Sequence, residues 1–126
     1  MKTRKRPKHL NLFKVRLPIA AITSILHRVS GAFMFFLMPY LLYIFISSLK
    51  SNSGFAFAAE LLDSWLFKVV FMILVWSLIH HLLAGIRYLV MDLDIGLSRN
   101  SANISAALVS AMAAVLSVFI MVWILT

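Results

Sequence analysis

Charged residues are spread so unevenly along this chain that they divide it into segments. After Arg28 no charged residue appears until Lys50, and positions 29–49 are dominated by Phe, Leu, Ile and Met. Twenty-one residues at ~1.5 Å rise reach ~30 Å, the hydrocarbon thickness of a bilayer, so 29–49 predicts a first transmembrane helix. Pro39 lies mid-span, where a kink or a neighbouring helix has to accommodate its missing N–H. Residues 50–64 hold Gly54, Glu60 and Asp63 and read as an outer loop with at most one interfacial turn. Trp65 opens a second apolar run, 65–91, which contains Lys68, His80, His81 and Arg87. A polar linker, 92–103, carries Asp92, Asp94, Arg99 and Asn100, and the uncharged stretch 104–125 predicts a third span. No internal repeat is evident. The pattern predicts an all-α integral membrane protein with three transmembrane helices.

Composition removes the soluble enzyme classes. Of 126 residues 63% are hydrophobic and 13% charged, against ~45–50% and ~25% in globular domains. The absence of cysteine excludes disulfides, cysteine-ligated iron–sulfur clusters, and thiolate-ligated or thioether-attached haem. Four acids are too few for a carboxylate-rich metal centre, which leaves histidine and methionine as candidate ligands. No Asp or Glu lies inside a predicted span, which argues against a small cation or drug transporter.

The net charge of +8 is concentrated at one end: eight of the twelve cations fall in residues 1–28. This basic arm, with the lead-in to the first span, is expected on the cytoplasmic side. That puts 50–64 outside, 92–103 inside and the C-terminus outside. The arm adjoins a membrane span and has only Phe13 as an aromatic, so it reads as a topology and partner-contact element, with no nucleic-acid role. Nothing before Val29 is an apolar targeting core, and no cleaved signal peptide is expected.

Ionisable groups at a helix centre in the bilayer cost at least ~2.5–3.5 kcal/mol on insertion scales, so they mark candidate sites. Two constellations stand out. Ser24, His27, Arg28 and Gly31 recur at i, i+3, i+4 and i+7, on one helical face. They form a donor-rich pocket at the membrane boundary, or else His27 and Arg28 anchor to lipid phosphate. The spacing leaves both readings open. In the second span Ser77, His81, Gly85, Tyr88 and Asp92 form a stripe. His81 lies ~24 Å along the helix from Trp65, where a neutral imidazole needs either a hydrogen-bond partner or a metal. Gly85 removes a side chain where a flat macrocycle could lie. His80 projects ~100° away and cannot share an axial site with His81. Arg87 suits a propionate or a lipid phosphate equally.

The segments SILHRVSG (24–31) and HLLAGIRYLVMD (81–92) resemble the two signatures of the cytochrome b subunit family of succinate dehydrogenase, a membrane anchor of respiratory complex II. RPKHLNLFKVRLPIAAI (6–22) resembles that family's N-terminal arm, and the likeness extends over roughly residues 6–125. The resemblance implies a bundle completed by a second small anchor subunit, with b-type haem shared between them. It makes His81 one axial iron ligand, the partner anchor supplying the other. Ser24 and Arg28 then match positions lining a ubiquinone pocket. His27, Arg28, Arg87 and Tyr88 lie in the vicinity of the haem propionates or the quinone, and Gly31 and Gly85 pack against the haem.

Tyr88 departs from the family, which often has histidine there; a phenol donates a hydrogen bond but brings no positive charge. His80 stays as an alternative ligand. The resemblance further implies that succinate is oxidised on a flavoprotein and an iron–sulfur subunit docked at the cytoplasmic face, in part through residues 2–16. This chain would then pass electrons to ubiquinone and be inactive alone. A bacterial inner membrane is the expected location, ahead of the mitochondrial one. The rival readings are a haem-free structural anchor and the anchor of a menaquinone-linked fumarate reductase.

Overall fold

A computed structural model describes residues 16–125, and the side chains of 16–124. The expected docking segment 2–16 therefore lies almost wholly outside the described residues. Four helices follow one another: α1 Ile19–Lys50, α2 Asn52–Asp63, α3 Trp65–Met91 and α4 Arg99–Leu125. Among the described residues there is no strand.

α1 begins ten residues before the predicted first span. Pro18, with φ −65° and ψ 154°, sets the helix start but offers no side-chain cap. Asn103 of α4 supplies one instead, its Oδ1 accepting the Ala20 N–H at 3.2 Å. His27 and Arg28 do not end the helix, because charge limits how deep a residue can sit in lipid and not whether its backbone is helical. The 32 residues of α1 extend ~48 Å, well beyond the ~30 Å hydrocarbon layer. Pro39 stays within α1.

Residues 52–63 form a helix where an outer loop was expected. Ser51 caps it by accepting the Gly54 N–H at 3.0 Å. Phe55, Ala58, Ala59 and Leu62, at helical spacing, face Leu41, Ile44 and Phe45 of α1 across a cavity of about 290 Å³. A Cβ at Gly54 would collide with the Ser47 carbonyl, so glycine is what lets α2 fold back closely. Ser64 then caps α3 through the Phe67 N–H at 3.3 Å, and Ser98 caps α4 through the Ser101 N–H at 3.2 Å.

The packing inverts that of a water-soluble bundle. Thr23, Ser30, Ser77, His80, Ala84, Ala106, Ala113 and Ser117 are buried, while Phe35, Phe36, Leu49, Leu89, Phe119 and Trp123 are exposed. Small and polar residues at helix contacts, with large apolar ones outside, are the arrangement lipid selects. Helices α1, α3 and α4 are each long and apolar enough to cross a bilayer. The chain is an all-α integral membrane protein. α1 and α4 run parallel, tied at Ala20–Asn103 and at Thr23 Oγ1–Ser110 Oγ, 3.1 Å. α3 packs against both.

Candidate functional site

His81 faces α1. Its Nδ1 lies 2.9 Å from the His27 carbonyl oxygen, and a carbonyl can only accept, so Nδ1 carries the ring proton. Nε2 is then the basic nitrogen, and among the described residues nothing hydrogen-bonds it. The ring is half-buried and stacks on the His27 imidazole at 3.9 Å between centroids, with 11° between planes. A metal-binding histidine normally has its other N–H held in this way by a carbonyl or carboxylate.

Gly31 sits under the ring: a Cβ there would be 2.8 Å from His81 Cε1. Gly85 lies beneath the His27 ring, where a Cβ would be 3.6 Å from Nε2, an ordinary contact. The two glycines expected to pack a macrocycle thus adjoin the two imidazoles. Tyr88 completes the cluster, its ring edge-on to His27 at 5.3 Å. Its hydroxyl is buried and finds no partner among the described residues. An orphaned phenol at a helix end points to a missing acceptor.

His80 is a different kind of residue. It is fully enclosed and stacked on Trp76 at 5.1 Å, and among the described residues both ring nitrogens lack a hydrogen-bond partner. Complete enclosure leaves a flat group no approach to this ring.

Arg87 has partners other than the propionate or lipid phosphate considered from sequence. Its Nε–H donates to Ser105 Oγ and its Nη2–H to the Ala102 carbonyl, both at 2.8 Å. It is buried, and its guanidinium carbon lies 5.3 Å from the Tyr88 ring centroid. The Ser24–Gly31 stripe also divides: His27 and Gly31 meet α3, while Arg28 is exposed and Ser24 half-buried. Neither Ser24 nor Arg28 makes a side-chain hydrogen bond among the described residues.

Ser30, which its spacing in the sequence does not single out, also belongs to the cluster. Its hydroxyl lies 2.9 Å from the His27 carbonyl oxygen and 3.3 Å from His81 Nδ1, and the residue is buried. The available signal was a hydroxyl three residues after His27 and next to Gly31, on the same side of an apolar helix.

Comparison with known proteins bears on the whole chain. Residues 2–120 match the family described as the succinate dehydrogenase/fumarate reductase transmembrane subunit. The succinate dehydrogenase cytochrome b556 subunit of Coxiella burnetii is 37% identical over 122 residues, 95% of this chain and 97% of that protein. The protein of the same name from Paracoccus denitrificans is 33% identical over 117 residues, 93% of this chain and 90% of its own length. That from Rickettsia felis is 32% identical over 103 residues, 80% and 78% of the two chains.

Proposed function

The chain belongs to the family of transmembrane subunits of succinate dehydrogenase and fumarate reductase, and on that premise we propose that it is the haem b- and ubiquinone-binding anchor of a succinate:quinone oxidoreductase. The observation that carries the reading is the state of His81: Nδ1–H held by the His27 carbonyl at 2.9 Å, Nε2 left basic. The residues fit the group. A half-buried imidazole with its proton fixed on the far nitrogen, a phenol at Tyr88 without a partner among the described residues and a cation at Arg87 make a donor set suited to an iron porphyrin with acidic side chains.

In this reading His81 Nε2 would hold the haem iron, together with a histidine of a second small anchor subunit. A haem so held would supply one-electron storage with no open position for oxygen. The Tyr88 hydroxyl would donate to a propionate. Arg87 contributes its charge from beside Tyr88 while its N–H groups hold α4. His27 orients His81 through its carbonyl and covers one face of the ring.

The quinone head meets Ser24 and Arg28, one helical turn apart on α1. Ser24 donates a hydrogen bond to a quinone carbonyl, and the exposed Arg28 guanidinium favours negative charge developing on that oxygen. The isoprenoid tail remains in lipid among the exposed apolar side chains. Succinate oxidation belongs to a flavoprotein and an iron–sulfur subunit docked at the cytoplasmic face, where the basic N-terminus lies.

The test is a reduced-minus-oxidised absorption spectrum of the complex purified with its partners, wild type beside His81→Ala. A low-spin b-type spectrum lost or altered in the variant supports the reading. No haem signal in wild type would leave a haem-free anchor. Extraction of the bound quinone separates ubiquinone from menaquinone.

A further inference from the structure

Three features of α1 converge on a single ring of α3, that of His81. His81 Nδ1 lies 2.9 Å from the His27 carbonyl oxygen and 3.3 Å from Ser30 Oγ. Ser30 Oγ lies 2.9 Å from that same carbonyl oxygen. The carbonyl accepts only, so both Ser30 O–H and His81 Nδ1–H point at it, while a Ser30 lone pair remains turned toward Nδ1–H. The third feature is an absence: at Gly31 a Cβ would stand 2.8 Å from His81 Cε1, closer than real contacts allow. Ser30 is 1% exposed, so no water competes for these bonds.

We infer that Ser30 and Gly31, with the His27 carbonyl, form a socket on α1 that fixes both the tautomer and the ring position of His81, and so sets the basicity of its Nε2. This rests on the haem reading above and extends it to two positioning residues that do not touch the iron. The physical basis is the sharing of the Nδ1 proton. The closer it is held by acceptors, the more electron density Nε2 has to give, and the more the oxidised metal is favoured. Ser30 is a second acceptor for Nδ1–H and also a competing donor to the main acceptor. Its hydroxyl therefore adjusts the bond without making or breaking it. Gly31 acts sterically, since a methyl group there pushes the ring away from the carbonyl and weakens that bond.

The experiment uses the whole complex, with His81→Ala as reference for the haem reading. Ser30→Ala, Ser30→Thr and Gly31→Ala are compared with wild type by haem content, haem midpoint potential and the low-spin ferric EPR g-values. Ser30→Ala is expected to keep wild-type haem content while shifting both the potential and the g-values, and Ser30→Thr, which retains the hydroxyl, to return them toward wild type. Gly31→Ala is expected to shift the potential upward, or to lose haem from a complex that still assembles. If His81→Ala abolishes the haem spectrum while Ser30→Ala leaves potential and g-values unchanged, the socket is refuted and the haem reading stands. If His81→Ala leaves the spectrum unaltered, both fall. Should Gly31→Ala fail to assemble, the Ser30 pair decides alone.

Discussion

Arg87 and Ser105, eighteen residues apart in the chain, are joined by an Nε–H···Oγ bond of 2.8 Å that closes α3 onto α4. The second arm of the guanidinium reaches the Ala102 carbonyl, one turn earlier on α4. A buried cation held between a hydroxyl and a carbonyl fixes the register of the two helices.

Removing it should loosen them. Arg87→Ala is expected to lower the thermal stability of the purified complex, and Arg87→Lys to restore little, since an ammonium cannot span both acceptors as the planar fork does. A double-mutant cycle with Ser105→Ala should give a coupling of about 0.5–1.5 kcal/mol, the range for hydrogen bonds between membrane helices. Strict additivity would mean that the bond adds nothing to the α3–α4 contact.

Arg28 is the exposed cation of the proposed quinone pocket. Arg28→Leu should depress quinone reduction while leaving haem absorption largely intact. Unchanged quinone kinetics in steady-state assays would remove Arg28 from the site.

Ser24→Ala should raise the apparent KM for quinone about 2–13-fold, the cost of one hydrogen bond of ~0.5–1.5 kcal/mol. A KM equal to that of wild type would assign Ser24 a structural role in α1.

Gly54→Ala tests the α1–α2 turn. The added methyl would collide with the Ser47 carbonyl, and backbone cannot yield as a flexible side chain does. A loss of about 1–3 kcal/mol in stability is expected, read by thermal denaturation, with haem absorption unaffected because the turn lies at the opposite end of α1 from His27.

The Asp63–Lys68 pair, 2.6 Å apart, gives a pH-dependent term. The hydrogen bond and charge of Lys68 hold the Asp63 carboxyl below its ordinary range. A carboxyl depressed in the folded state stabilises it above the unfolded value of ~4, and that contribution fades as pH falls through the lower folded value. Asp63→Asn should therefore be slightly less stable than wild type near neutrality and indistinguishable from it in acid. Both side chains are largely exposed, so moderate salt should erase the difference. A gap that persisted in high salt would contradict the assignment.

The three spans were legible because charge and apolar run length are properties of the sequence itself. The family match was legible because its two motifs lie within short segments. The start of α1 was not, since the partner of the Ala20 N–H is Asn103, which periodicity cannot locate. α2 was within reach: Phe55, Ala58, Ala59 and Leu62 follow helical spacing behind the Ser51 cap. Spacing put His80 and His81 on different faces. Which of them is enclosed depends on Trp76 and on the approach of α1. Arg87 shows the limit most plainly, because a cation near a helix end looks the same in sequence whether it serves a ligand or the next helix.

The tie between Ala20 and Asn103 imposes an order on biogenesis. At ~5–20 residues per second, the 83 residues between them take roughly 4–17 s to synthesise. Over that interval the first turn of α1 has its amide without its final acceptor, and Thr23 waits as long for Ser110. The His27–His81 contact spans only 54 residues, so both halves of the histidine pair are synthesised before α4 begins at Arg99. The nascent chain thus completes its histidine pair first and locks it last, and α4 acts as the latch of a cluster to which it contributes no histidine.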